Sequence, residues 1–240
     1  MNQQYMNAPA ARNEPFLLGV RDCLPTVLGY LSIGFAAGVV EKTAGMSLAE
    51  IALLSIFLYA GSAQFIVAGM LASGSPAFAI IFTVFFVNLR HLLMSAAMSP
   101  YFRHLPAWKN ILIGSQLTDE TFGVAVTKLT GRTQGSYRWM LGLNVTAYLN
   151  WLAANLAGGV FGHWIDSPEK YGLDFALPAM FIGLFMLQWL ERSKFRVDLA
   201  VAGCAVAAAI AGTMFLSKSA GVLIAIIIAA SVGVWMEKWK

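Results

Sequence analysis

The sequence predicts an all-α fold, a polytopic membrane helix bundle with seven or eight membrane segments, some of them discontinuous. Of its 240 residues, 58% are hydrophobic and only 12% are charged, whereas about 25% of the residues of a soluble domain are charged. The mean hydropathy of +0.68 indicates the same class. A water-soluble core of this size cannot bury so much apolar surface. We therefore exclude a typical soluble enzyme, a disulfide scaffold and a disordered chain.

The apolar residues are grouped in runs long enough to cross a bilayer. A helix that crosses about 30 Å of hydrocarbon needs roughly 20 apolar residues. Seven runs meet this standard: residues 17–40, 48–71, 76–99, 139–162, 173–190, 197–216 and 219–236. An eighth stretch, residues 110–128, is weaker because Asp119 and Glu120 lie near its middle. Only a helix inside the bundle or a re-entrant segment tolerates carboxylates at this depth.

The polar N-terminal stretch sets the expected domain boundary. Residues 1–15 are expected to form a disordered cytoplasmic tail, and residues 16–240 a single transmembrane transporter domain. The tail lacks the basic start, apolar stretch and cleavage site of a secretory signal. We therefore expect the first apolar run to remain in the mature protein as a membrane span.

Basic residues in the loops predict the orientation. They are dense in the gaps 128–138 and 191–196 and at the C-terminus, which ends with Lys238 and Lys240. By the positive-inside rule, these gaps and the C-terminus face the cytoplasm. The N-terminus is cytoplasmic if segment 110–128 crosses the membrane, and outside if it does not. The charge counts favour eight segments only slightly.

The sequence carries no motif of a known enzyme or metal site. Cys23 and Cys204 lie far apart in apolar runs without Cys/His spacing, so we interpret them as packing residues and expect neither metal nor cofactor. Nucleotide-binding, metalloprotease and hydrolase motifs are absent from the sequence, and we expect no enzymatic activity. The basic residues lie in gaps between apolar runs, which argues against nucleic-acid binding.

Small residues recur at helical spacing inside the runs. Gly34 and Gly38 stand four residues apart, as do Ala154, Gly158 and Gly162. Such stripes let helix backbones approach closely in lipid. They predict a tightly packed bundle and indicate no chemistry of their own.

Polar groups interrupt the second apolar run. Gly61 weakens a helix, and Ser62 and Gln64 place hydrogen-bonding groups at mid-bilayer depth. Discontinuous helices of this kind line transporter sites, because their ends and freed backbone groups bind charged substrates. The alternative is an unbroken helix in which Gly61 and Ser62 pack and Gln64 bonds to a neighbour.

The third run contains Asn88, Arg90 and His91 near its middle. A buried guanidinium keeps its proton, so Arg90 needs a carboxylate, backbone carbonyls or water. In the alternative, the side chain of Arg90 extends to the membrane surface. His91 is a candidate for proton transfer, although a lone histidine is more often structural.

Two adjacent carboxylates follow Thr118 in the eighth stretch. Successive helical residues are about 100° apart, so Asp119 and Glu120 cannot share a face. One of them can pair with Arg90 while the other faces a cavity or a loop. The plain alternative is that Thr118 or Asp119 caps the N-terminus of a half-helix.

Four motifs in this order resemble the AzlC family, the large subunits of bacterial branched-chain amino acid exporters. They are AGSAQF (60–65), NLRHLLMSAAMSP (88–100), LTDETFGVA (117–125) and GLDFALPAMFIGLF (172–185). The resemblance spans about residues 16–190. It implies a bacterial plasma-membrane permease that exports valine, leucine, isoleucine or methionine, driven by the proton gradient. It also implies a small hydrophobic partner subunit of the AzlD type.

These observations together give a hypothesis for the site. We expect the substrate to bind at Gly61, Ser62, Gln64, Asn88, Arg90 and Thr118. We expect the coupling proton at Asp119, Glu120 or His91, and an apolar pocket formed by Phe65, Phe85 and Met94. The alternatives are a channel for small solutes and a non-transporting structural subunit of a membrane complex.

Overall fold

The computed structural model describes residues 14–165, 168–175, 178, 179, 182, 186, 195–215, 225, 228, 229 and 231–236. These residues form helices, turns and loops, with no strand among them, which confirms the all-α prediction. Most of the predicted tail and of run 173–190 lies outside the described residues, as do half of run 219–236 and Lys238 and Lys240. The chain divides into two compact units, Met1–Phe181 and Ile182–Lys240.

The described helices of the first unit follow one another with short connections. They are α1 (Phe16–Asp22), α2 (Leu24–Thr43), α3 (Leu48–Leu53), α4 (Gly61–Ala72), α5 (Ala77–Phe102), α6 (Ala107–Ser115), α7 (Asp119–Leu129) and α8 (Tyr137–Phe161). A π-helical turn, Leu54–Leu58, continues α3, and three short 3-10 turns follow α8. In the second unit, α9 spans Phe195–Phe215, and Gly233 packs against Val201 of that helix.

Two described helices, α2 and α5, are long and apolar enough to cross a membrane. The predicted number of seven or eight spans therefore stays a prediction. Two of the predicted runs contain breaks that shorten their helices: run 48–71 is divided between α3 and α4, and stretch 110–128 between α6 and α7.

Glycines hold α2 against α8 at backbone contact. A Cβ atom on Gly38 would lie 2.0 Å from the carbonyl oxygen of Asn155, and one on Gly158 would lie 2.0 Å from that of Phe35. Gly34 faces Ala154 and Trp151 in the same seam. The predicted stripes of small residues are thus confirmed as a close helix–helix contact.

The first helices run in the same direction as α8. Gly19 of α1 lies against Trp139 near the start of α8, whereas Gly38 lies against Asn155 near its end. The hydroxyl of Ser136 donates to the carbonyl oxygen of Glu14 at 2.9 Å. Residue 14 and the α7–α8 loop therefore lie at the same end of this unit. Because α2 and α8 run in the same direction, the chain must reverse direction an even number of times between them. This favours the alternative in which stretch 110–128 traverses the bundle.

Candidate functional site

A break in the backbone separates the π-helical turn from α4. Tyr59 adopts a left-handed conformation, with φ 42° and ψ 48°, and Ala60 is extended before α4 begins at Gly61. Among the described residues, Tyr59 is the non-glycine residue with positive φ. Such a conformation costs about 1–3 kcal/mol and persists only where the surroundings hold it. The buried Tyr59 ring packs edge-on against Tyr148, 4.7 Å away. The predicted discontinuity is confirmed, and the alternative of an unbroken helix is wrong.

A second break separates α6 from α7. Thr118 caps α7: its Oγ1 accepts from the N–H of Thr121 at 3.3 Å, and its own N–H donates to Oγ1 of Thr121 at 2.9 Å. The capping alternative for Thr118 is therefore confirmed. Asp119 and Glu120 occupy the first turn of α7, where negative charge is favourable to the helix dipole.

Arg90 connects three segments at these breaks. Its Nη1 lies 2.8 Å from Oδ2 of Asp119, and its Nη2 donates to Oγ of Ser62 at 2.5 Å. The side chains of Arg90 and Asp119 are 24% and 23% exposed. The predicted ion pair between α5 and α7 is present, and the guanidinium does not extend to the surface of the bundle.

Tyr30 of α2 brings a fourth segment to the same place. Its hydroxyl lies 2.7 Å from Oγ1 of Thr118 and 2.6 Å from Oε2 of Glu120. The hydroxyl has one hydrogen to share between these two acceptors. Asp119 and Glu120 thus point to different partners, as their adjacent positions on one helix require.

A small pocket lies among these groups. It is lined by Tyr30, Tyr59, Ala60, Gly61, Ser62, Arg90, His91, Thr118, Asp119, Glu120 and Trp151. Its volume is about 10 Å³, and a single water molecule needs roughly 10–15 Å³. Most of the residues proposed from the sequence for substrate and proton binding therefore meet around one small pocket, whose volume is close to that needed by a single water molecule.

Gln64 and Asn88 lie outside the pocket lining. The Gln64 side chain is fully buried behind the wall, because it lies about 200° around α4 from Ser62. The backbone carbonyl of Asn88 faces Nδ1 of His91 at 3.2 Å. The structure thus brings Ser62, Arg90 and Thr118 together and separates Gln64 and Asn88 from them.

The three residues expected to form the apolar pocket also lie outside the pocket lining. Phe65 and Met94 belong to the hydrophobic core, and Phe85 is 59% exposed on the outer face of α5. Phe85 lies about 140° around the helix from Arg90, so the two side chains cannot face the same space. Tyr30, Tyr59 and Trp151 provide the aromatic wall instead.

Sequence reasoning missed the aromatic pocket residues Tyr30, Tyr59 and Trp151, and Trp151 is the one with a signal in the sequence. A Cβ atom on Gly61 would lie 2.9 Å from its ring, and the ring packs edge-on against Tyr30 at 5.0 Å. Its Nε1 donates to Oε1 of Gln64 at 2.7 Å. Its position in the middle of run 139–162, away from the membrane surface where tryptophan is common, is the signal that could have identified it.

The site combines one fixed cation with two helix N-termini, two carboxylates and an aromatic wall. A zwitterion with an apolar side chain is complementary to this set, because its carboxylate suits the cation and the N-termini while its ammonium suits the carboxylates.

Comparisons with known proteins place the chain in a family. The sequence profile of the AzlC protein matches residues 25–165. The chain is 28% identical over 237 residues to inner membrane protein YgaZ of Escherichia coli K12, covering 97% of the chain and 95% of that relative. It is 29% identical over 187 residues to the branched-chain amino acid transport protein AzlC of Bacillus subtilis 168, covering 78% and 73%.

An archaeal relative extends the comparison. An uncharacterized membrane protein of Archaeoglobus fulgidus is 29% identical over 205 residues, covering 83% of the chain and 86% of the relative. No solved structure matches the chain significantly. The names of the relatives support a membrane location.

Proposed function

Because this chain belongs to the AzlC family, we propose that it is a secondary transporter that exports branched-chain amino acids with proton coupling. Valine, leucine and isoleucine are the main proposed substrates, with methionine as a further one. The name of the Bacillus subtilis relative supports the substrate class, and that of the Escherichia coli relative supports the inner membrane. We place the protein in the bacterial plasma membrane as a multi-pass chain with a cytoplasmic C-terminus.

The observation that carries the proposal is the Arg90–Asp119 ion pair at the N-termini of two half-helices. A substrate carboxylate can replace Asp119 at the guanidinium and accept hydrogen bonds from the first-turn amides of α4. The released Asp119, together with Glu120, then faces the substrate ammonium. Substrate entry and ion-pair opening become one event in this scheme.

The pocket wall suits a short apolar side chain. The rings of Tyr30, Tyr59 and Trp151 enclose the polar groups, and Ala60 leaves space between them. A volume of about 10 Å³ is far below the several hundred Å³ typical of small-molecule sites. Substrate binding therefore requires the segments that line the pocket to separate, which is the motion that alternating access supplies.

The proposed coupling proton binds among the carboxylates and the histidine of the pocket. Asp119, Glu120 and His91 all line it, so a proton there competes with the substrate ammonium and with Arg90 for the same charges. Such competition links proton and substrate occupancy without direct contact between proton and substrate.

We propose that a small hydrophobic subunit of the AzlD type accompanies the chain. This partner is the one that the resemblance of the four motifs to the AzlC family implies. Co-expression of the chain with a tagged candidate subunit, followed by purification in detergent, tests the association.

Transport measurements in proteoliposomes test the proposed site. We expect Arg90→Ala and Asp119→Asn to lower proton-driven valine transport on the order of 100-fold, because each removes one side of a partly buried ion pair. Arg103→Ala removes an exposed arginine from the end of α5 and serves as the control. The assays are run with and without the partner subunit. Unchanged valine transport in both pocket variants, at normal expression, would remove this site assignment.

A further inference from the structure

A second buried carboxyl group lies outside the pocket, on the last turn of α2. The side chain of Glu41 is 0% exposed. Its Oε1 accepts a hydrogen bond from Nε2 of Gln64 at 2.9 Å, and its Oε2 has no hydrogen-bond partner among the described residues. Within the same residues, no Lys, Arg or His side chain lies at ion-pair distance from it.

The charged and titratable groups of the neighbouring elements are engaged elsewhere. Lys42 Nζ donates to the carbonyl oxygen of Met46 at 3.3 Å, and the Glu50 carboxylate caps α3 through Ser47. Nδ1 of His163, in the 3-10 turn after α8, faces the carbonyl oxygen of Val160. The segment α4 contains no charged residue. An ionised Glu41 would therefore have one neutral amide donor as its sole compensation, which is far too little for a buried charge.

Gln64 connects this carboxyl group to the wall of the pocket. The Gln64 amide donates to Glu41 and to Oγ of Ser55, and its carbonyl oxygen accepts from the Trp151 indole. Ser55 belongs to the π-helical turn before the Tyr59 break, and Gln64 belongs to α4 after it. The hydrogen bonds therefore join both sides of the break to α2 and α8.

We infer that Glu41 is a proton-binding positioning residue, which carries a proton in this closed arrangement and controls the Trp151 wall through Gln64. On release, the carboxyl O–H bond breaks, its electron pair stays on Glu41 and the proton passes to water. The ionised group then draws the Gln64 amide and the Ser55 hydroxyl towards itself, which weakens the Gln64–Trp151 contact and frees α4 to move. The effect on transport rests on the proposed proton-coupled function. The protonation of Glu41 rests only on the surroundings of its side chain.

Infrared spectroscopy tests the proton without any transport assay. In wild-type protein at neutral pH, we expect a carbonyl band of a protonated carboxylic acid that shifts in D₂O. Glu41→Gln should lack this band, and Glu50→Gln, which removes an exposed carboxylate from α3, should retain it. Identical carboxyl regions in wild type and Glu41→Gln overturn the inference, whatever the protein transports.

Transport by the same variants tests the coupling. Glu41→Gln mimics the protonated form, so it should keep valine counterflow at a rate comparable to wild type and lose accumulation driven by a proton gradient. Glu41→Asp should restore accumulation with a displaced pH profile. A wild-type pH profile in Glu41→Gln, or accumulation that follows Na⁺ instead of protons, contradicts the inference. If wild type does not move valine while the infrared difference is present, the proposed function fails and the proton site stands.

Trp151→Phe probes the connection to the pocket and does not require a change at Glu41. It keeps an aromatic ring in the wall, removes the indole N–H that contacts Gln64, and also reduces the ring area that faces Gly61 and Tyr30. We expect the infrared band of Glu41 to remain and the pH profile of transport to change. An unaltered pH profile in this variant overturns the route through Gln64.

Discussion

Arg90 shows how one side chain organises the site. Its two terminal nitrogens reach different segments, Asp119 on α7 and Ser62 on α4, from a position on α5. A planar guanidinium satisfies two such acceptors at fixed angles, whereas an ammonium is a single point charge on a flexible stem. The geometry of the guanidinium is therefore as important here as its charge.

We expect Arg90→Lys to lower valine transport about tenfold or more while the protein still folds, because the lysine keeps the charge and loses the two-sided contact. The maximal rate of transport should fall more, relative to wild type, than the expression level of the variant does. Initial rates in proteoliposomes measure it, with Arg103→Lys as the matched substitution at an exposed site. Wild-type rates in Arg90→Lys would show that charge alone suffices.

The contact between helices α2 and α8 requires their two backbones to lie very close together. The Cβ atom of an alanine at position 38 would collide with the Asn155 carbonyl oxygen at 2.0 Å, whereas Gly29 on the same helix has no neighbouring atom within 4 Å. Since the clash involves backbone atoms, no side-chain rotation relieves it. The two helices must move apart, and the Glu41 and Trp151 contacts move with them.

The two glycines of α2 thus give a matched pair of variants. We expect Gly38→Ala to lower the apparent melting temperature and the folded yield. Gly29→Ala should leave both unchanged or raise them, since alanine favours a helix over glycine by about 1 kcal/mol. Thermal denaturation of the purified variants in detergent measures the difference. Equal stability of the two variants would contradict the close contact.

The breaks in two segments place helix N-termini inside the bundle. Neither α4 nor α7 is long, with 12 and 11 residues, and each begins at the pocket. A helix end at this depth exposes N–H groups that must find a partner. Thr118 satisfies part of this need at α7, while α4 has no side-chain cap, which suits the carboxylate proposed to bind there.

In the first unit, ion pairs connect Glu14 and helix α1 to helix α7 and the α7–α8 loop. Arg132 lies 2.9 Å from Glu14, and Lys128 lies 2.6 Å from Asp22. These contacts, like the parallel α2–α8 packing, put residue 14 and the α7–α8 loop at one end of the first unit. We therefore predict that the broken segment α6–α7 connects opposite sides of the membrane.

Cysteine labelling tests this path of the chain. In a variant without Cys23 and Cys204, we expect Thr133→Cys to react with a membrane-impermeant reagent from the cytoplasmic side, and His104→Cys from the opposite side. Both positions are exposed at the ends of α6–α7. Labelling of both from one side would mean that α6–α7 is re-entrant.

The sequence predicted the polar centre of the site better than its walls. Arg90 and the carboxylates Asp119 and Glu120 stood out because a charge inside an apolar run has few possible partners, whereas only the structure shows that Asp119 is the one that pairs with Arg90. The predicted apolar pocket was wrong, because Phe65, Phe85 and Met94 do not line the observed pocket. A single sequence does not determine how each helix is rotated about its axis. Glu41 was overlooked because it lies at the end of an apolar run, where carboxylates are usually solvated.

The sequence alone determines the membrane location and the helical structure. The free energy of transfer into lipid is a property of each residue and adds up over a segment. The choice of rings around the pocket, the left-handed Tyr59 and the burial of Glu41 behind Gln64 depend on contacts between segments far apart in the chain. Those contacts are decided by close packing of helix backbones, which is a cooperative property of the folded bundle.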